Sequence, residues 1–318
     1  MSMLIKFIVA AALAGTPLLF GTLGEILNEK AGHLNLGVEG MMSLGATAGF
    51  IVGYRTDNFI LALIAAFLAG AFGALIYAIL TISFMANQNV TGLTLTIFGI
   101  GLSNFIGFYY VGISEEGTLK LPAMITSQMR SIHIPFLSDI PVLGELLFSY
   151  NPFVYIGIIT AIILGWYLHH TNVGLSVRAI GENPAAADAA GIQVTKLKYI
   201  NIVVGGGICG IGGAYTGMIT NGGVWIADCV GGLGWIAVAL VIFASWKPIN
   251  AIYGSFIFGA LRILKFYVNK EIIPIPDAFY DMLPFVITAL VLVMASIRQS
   301  RENSQTASCG VNYFREER

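Results

Sequence analysis

Asn35 and Glu39 are the first residues that demand a chemical account. They lie in the run Leu34-Asn35-Leu36-Gly37-Val38-Glu39-Gly40, and a strongly apolar stretch follows. Their spacing of four puts them on one helix face. A carboxylate there must pair, meet a helix N-terminus or take up a proton. Glu39 therefore reads as a brace for nearby backbone or as a group beside a solute path. A second polar set, Asn89, Gly92, Thr96, Gly99 and Ser103, recurs at i, i+3, i+7, i+10 and i+14. Such small or hydrogen-bonding residues face protein or water, not lipid tails. Close helix packing and the lining of a path both fit this stripe. Asn87, Gln88 and Asn89 form an amide cluster just before it.

A third site is a polar loop over residues 171–198. Asn183 suits a helix N-cap, Pro184 the first helical position, and Gly191 the position after the last turn. The alanines between them favour helix. The pattern predicts a helix over 184–190, about 10 Å long. So short a helix must dock on something to persist. A small, capped, alanine-surfaced helix suits a coupling element to another subunit, and an interfacial helix fits as well.

Enzyme chemistry has no foothold. The P-loop and G-x-S-x-G patterns are absent. His33, His133, His169 and His170 show no metal-binding spacing, and Cys209, Cys229 and Cys309 stand far apart. Neither a metal nor a cofactor bound by this chain is expected.

The elements that position these residues must be membrane helices. The chain has 318 residues, 57% apolar and 10% charged, with a mean hydropathy of +0.82. Soluble domains carry about 25% charged residues. A net charge of −1 gives nucleic acid nothing to bind. Apolar runs cover 4–24, 34–54, 59–86, 90–112, 152–170, 199–220, 234–246, 249–268 and 279–297. The expectation is an all-α, polytopic transmembrane bundle of about eight to ten spans over residues 1–298. The stretch 234–268 breaks at Trp246-Lys247-Pro248, giving either a hairpin of short spans or one span and a re-entrant piece. In span 199–220, Gly206, Gly210, Gly213 and Gly217 form one stripe for close helix approach.

Basic residues set orientation. Arg178, Lys196 and Lys198 in loop 171–198, with Arg298, Arg301, Arg315 and Arg318 near the end, place that loop and the C-terminus in the cytoplasm. Arg262, Lys265 and Lys270 cluster on the opposite side. The long loop 113–151 is then external, as a cap or docking surface. Residues 299–318 are polar and read as a disordered tail.

Four stretches carry a family resemblance. They are Gly24-Glu25 through Gly32-His33 to Met42; Asn87 to Gly92; Arg178 to Ile192; and Gly234-Trp235-Ile236-Ala237 through Ile242-Phe243 with Trp246 and Pro248. The chain resembles permease subunits of ABC importers for branched-chain amino acids, simple sugars and nucleosides, nearest the nucleoside and simple-sugar branch. That branch also includes riboflavin importers. The resemblance covers about residues 16–297.

The resemblance implies a cell-membrane (inner, cytoplasmic) protein. A separate ABC ATPase subunit would use ATP and Mg, with a second, non-identical permease chain and a substrate-binding protein or lipoprotein as the other partners, all in membrane lipid. Arg178, Gly181, Glu182, Asn183, Pro184, Ala187 and Asp188 would form the cytoplasmic coupling helix and its approach. Asn35, Glu39, Asn87, Gln88, Asn89, Thr96, Ser103 and Trp235 would surround the solute path. Two positions depart from the family pattern: Leu233 stands where Arg is frequent and Thr96 where Asn is frequent. Both bear on solute preference. An ion-gradient-driven secondary transporter is the alternative, with Glu39 as its ion site.

Overall fold

In lipid a backbone finds its hydrogen-bond partners only within helices or closed barrels, so apolar runs of this length fold as helices. The computed structural model describes residues 3–131, 143–268, 276–298 and 305–314. Among the described residues thirteen α-helices follow one another: α1 Met3–Lys30, α2 Val38–Thr56, α3 Phe59–Ala78, α4 Gln88–Gly112, α5 Ala123–Gln128, α6 Leu143–Leu147, α7 Pro152–His170, α8 Asn172–Glu182, α9 Pro184–Ala189, α10 Val194–Tyr215, α11 Leu233–Phe243, α12 Pro248–Ile263 and α13 Asp277–Arg298. Single π turns extend α3 through Ile79–Ser83 and α10 through Thr216–Thr220. Among the described residues there is no strand, only an isolated bridge between Lys120 and Val224.

Among the described residues six helices are long and apolar enough to cross a membrane: α1, α3, α4, α7, α10 and α12 with their extensions. The expected eight to ten spans also counted α2, α11 and α13. The 19 residues of α2 are diluted by Glu39, Ser43, Thr47 and repeated glycine. At 11 residues, α11 is about 16 Å long, half a hydrocarbon core. Of the break at Trp246, the structure therefore selects the unequal version, a half-length helix followed by a longer one. The turn is made by Ser245 and Trp246, both at positive φ. Side chains of α13 are described only in part.

The central helix is α10. In its membrane-length window 78% of residues are buried, against 28–39% for the other five. Glycine allows this crowding. A methyl group added at Gly210 would collide with the Ala66 carbonyl of α3, and one at Gly205 would lie 2.6 Å from the Gly24 carbonyl of α1. The predicted stripe is real but one of two: Gly206 and Gly210 face α3 and Gly213 faces α2, while Gly205 and Gly212 face α1. The outer surface is apolar. Ile60, Ile64, Leu68 and Phe72 on α3, Ile97 and Phe105 on α4, and Ile163 and Trp166 on α7 are all exposed. Patches this large need lipid or other apolar helices against them.

Residues 119–121 of the loop 113–151 pack back on the bundle. The Leu121 amide donates to Gly223 at 2.8 Å and the Trp225 amide to Leu119 at 2.9 Å. Trp225 is buried and meets Phe50 edge to face at 5.4 Å. The expectation of disorder in residues 299–318 fails over 305–314, which pack on the protein through hydrogen bonds described below.

Candidate functional site

The Glu39 carboxylate closes the open end of another helix. The first turn of an α-helix has amides without intrahelical acceptors. At the start of α11, Gly232 has φ +87° and offers no side-chain cap. Glu39 replaces that cap. Its Oε1 accepts the Gly232 amide at 2.7 Å and its Oε2 the Gly234 amide at 2.6 Å. The helix dipole favours a negative charge there. Gly234 must be glycine for this approach, because an added Cβ would lie 2.5 Å from the Glu39 Cα. Of the two readings of Glu39, the structure realises the backbone brace.

The connection 31–37 lets α2 begin inside the protein, and non-helical backbone at such depth needs partners. They come from α1, α3 and α4 and from the connection itself. Asn28 donates to Glu25 Oε2 at 2.8 Å, and the Asn35 amide donates to Glu25 Oε1 at 2.8 Å. Asn35 Oδ1 accepts the Gly37 amide at 2.9 Å. Gln88 Oε1 accepts the Leu34 amide at 2.9 Å, the Tyr77 hydroxyl donates to the Leu34 carbonyl at 2.7 Å, and Thr96 donates to the Leu36 carbonyl at 2.9 Å. Asn35, Glu39, Gln88, Thr96 and Ser103 are all buried.

The stripe on α4 faces α2. A Cβ on Gly99 would lie 2.6 Å from the Gly40 Cα, and Ser103 hydrogen-bonds Thr47. Asn89 does not belong to it. Asn87 caps α4 by accepting the Val90 amide at 3.1 Å. The helix then turns Gln88 inward and leaves Asn87 and Asn89 exposed. Trp235, next to the Glu39 clamp, is half-buried.

The predicted short helix is present as α9. Asn183 Oδ1 accepts the Ala186 amide at 3.0 Å, Pro184 opens the first turn, and Gly191 takes φ +83° just past the end. The residues of α9 and of the end of α8 divide by face. Gly181 and Ala187 point inward: a Cβ on Gly181 would collide with the Lys30 carbonyl, and Ala187 packs with Ile180 and Val194. Arg178, Pro184 and Asp188 are half-buried, and Glu182, Asn183, Ala185, Ala186 and Ala189 are exposed. The arrangement is a small-residue platform held to the body from beneath.

The family model described as "branched-chain amino acid transport system / permease component" matches residues 7–293. The chain belongs to this permease family. A Haloferax volcanii protein, provisionally named a glucose ABC transporter permease, is 36% identical over 80% of this chain and 75% of its own. The guanosine ABC transporter permease NupQ of Bacillus subtilis is 32% identical over 91% and 92%, and the nucleoside ABC transporter permease NupC of Lactococcus lactis 31% over 88% and 88%.

Three features of this permease escaped sequence reasoning. The first is Glu25, Asn28 and Glu29 at the end of α1, whose i, i+3, i+4 spacing was a readable polar face. Glu29 accepts the Trp246 indole N–H at 2.6 Å and the Gln305 amide at 3.1 Å. The second is the tail. Thr306 donates to the Glu29 carbonyl at 2.6 Å, the Ser308 amide to the Gly181 carbonyl at 3.0 Å, and Asn312 to the Met85 carbonyl at 2.6 Å. The Tyr313 hydroxyl donates to Asp188 Oδ2 at 2.9 Å. These acceptors include carbonyls in the last turns of α1 and α8, which helices leave unpaired. Burial pushes the Cys309 thiol above the ordinary cysteine range, so it stays protonated. The third is Asn104 on α4, which donates to Asp228 Oδ1 at 2.8 Å and accepts the Asp228 amide at 3.1 Å. Asp228 is exposed and Asn104 half-buried, so both keep surface free.

Proposed function

We propose that this permease forms half of the solute path of an ATP-driven importer for nucleosides, by alternating access coupled to a separate ATPase subunit. The observation that carries the reading is α9, a capped helix with an exposed alanine face, tied to α1, α8 and the tail from behind. A movement imposed on such a platform passes into α1 and α8 instead of being absorbed in a loose loop. The partner ATPase would use ATP and Mg. The other partners are a second, non-identical permease and an external binding protein. The tail and α9 share one side of the protein through their hydrogen bonds, and we assign that side to the cytoplasm from its basic residues.

The buried path candidates act on the protein itself. Thr96, Ser103, Asn35, Gln88 and Glu39 already bond to protein groups, so they position the α2, α4 and α11 seam. Solute contact falls to the groups with free surface at that seam: Trp235, Asn104 and Asp228. An indole face suits stacking on a base, and an amide with a carboxylate suits ribose or base hydrogen bonds. Nucleosides are favoured by the guanosine and nucleoside relatives. A simple sugar is the second reading, favoured by the Haloferax relative. An ion-driven mechanism would need Glu39 free, and both of its oxygens are engaged by backbone amides.

The test is to tag the chain, extract it gently from its native membrane and identify what co-purifies. A cassette ATPase with a second permease supports the reading. The chain alone, with ion-driven uptake in liposomes, contradicts it.

A further inference from the structure

A cavity of about 420 Å³ opens between the first turn of α10, the α1–α2 connection, the end of α3 and the tail. Its lining includes His33, Thr81, Asp188, Lys196, Lys198 and Asn312. Two of these side chains are buried, Lys198 at 3% exposure and His33 at 1%. Neither Nδ1 nor Nε2 of His33 has a hydrogen-bond partner. A buried ammonium is costly, and orphaned buried polar atoms call for a missing partner.

A third feature converges on the same space. Gln193, at the N-cap of α10, gives no side-chain cap, and the residues that follow it, Val194, Thr195 and Lys196, line the cavity. Amides of a first helical turn and the dipole behind them favour an anion. Asp188 is the one carboxylate in the lining, and it accepts the Tyr313 hydroxyl. Two lysines, an imidazole N–H and a helix start thus face one acidic group.

We propose that this cavity is a binding site for a phosphoryl-bearing anion, seated on Lys198, His33 and the start of α10. Its volume lies in the range of small-molecule sites and admits a phosphomonoester. The anion would be contacted by residues 191–195, which continue directly from α9, and by His33 of the α1–α2 connection. Occupancy would therefore tie the coupling segment to the transmembrane body. This site is independent of the imported solute and stands whether or not the importer reading does.

The phosphoryl group has two possible sources, a soluble ester and a lipid headgroup. The experiment measures equilibrium binding of radiolabelled inorganic phosphate to the full-length chain, with its co-purifying partners, in phosphatidylcholine nanodiscs. Wild type and Lys198→Met are compared, because phosphate on a partner is common to both. The expected result is a saturable difference of about one phosphate per chain, kept in Lys198→Arg and in the remote control Lys265→Met. Should Lys198→Met not yield monodisperse protein, His33→Leu takes its place, with affinity expected to fall about tenfold or more. Displacement of the phosphate in phosphatidylglycerol nanodiscs identifies a lipid headgroup, and retention identifies a soluble ligand. Binding by Lys198→Met, or by His33→Leu in its place, equal to that of wild type overturns the proposal.

Discussion

Glu39 and Gly234 stand 195 residues apart in sequence and are joined by a 2.6 Å hydrogen bond from the Gly234 amide to the carboxylate. The bond fixes the first turn of a half-length helix to the first turn of α2. Both helices begin inside the bundle, after non-helical segments, and neither start has a local side-chain cap. The start of α11 is therefore capped from the far end of the sequence, and the two segments that flank the proposed solute contacts move as one.

Removing that cap has a definite cost. Glu39→Ala leaves the buried Gly234 amide and the half-buried Gly232 amide without acceptors, which is expected to destabilise the protein by about 2–4 kcal/mol. Glu39→Gln keeps one acceptor oxygen and is expected to lose less. Thermal melting of the purified protein in detergent measures both. A melting temperature for Glu39→Ala equal to that of wild type would show that the clamp contributes nothing.

The inward and outward faces of the α8–α9 segment make opposite predictions. Gly181→Leu must push into the Lys30 carbonyl and the Thr306 methyl, so it lowers stability along with transport. Ala185→Arg meets only solvent in this chain, so it leaves stability unchanged and reduces ATP-driven uptake about tenfold or more by spoiling a docked face. Uptake assays beside melting curves separate the two. A fully active Ala185→Arg would remove α9 as the coupling surface.

The tail is expected to hold the coupling segment still. Deleting residues 305–318 removes the bonds of Ser308 to Gly181 and of Tyr313 to Asp188, each worth about 1 kcal/mol. Amide hydrogen exchange over residues 180–192 should accelerate. Unchanged exchange in the truncated protein would mean that the tail only rests on this surface.

His33 carries a pH dependence. Burial, and then the charge of Lys198, hold its imidazole well below the ordinary value of about 6.5. The folded protein keeps it neutral, while the unfolded chain takes up a proton below that pH. Its contribution is complete above about pH 6.5 and is lost as pH falls, by at most about 1.4 kcal/mol per pH unit. In phosphate-free buffer, His33→Gln should flatten the decline in melting temperature between pH 7.5 and 5.5. Parallel declines in the two proteins would contradict this.

Local chemistry was legible and distant pairing was not. Asn183, Pro184 and Gly191 announced α9 because capping acts within a few residues. A carboxylate seeking a helix N-terminus was legible at Glu39, but nothing local says that the helix begins at Leu233. The stripe on α4 was right from Gly92 to Ser103 and wrong at Asn89. Gln88 and Asn89 both lie about one turn before Gly92, and only the cap at Asn87 decides which turns inward. The tail was misread because its polar composition resembles disorder. Its side chains instead meet carbonyls at the ends of α1 and α8, acceptors that sequence does not display.

The most direct test of the central claim is uptake of radiolabelled guanosine by proteoliposomes holding the purified complex, with the binding protein outside and ATP-Mg inside. The account predicts accumulation that requires internal ATP, persists when ion gradients are collapsed and is lost in Ala185→Arg. Uptake that follows an ion gradient and ignores ATP would contradict it.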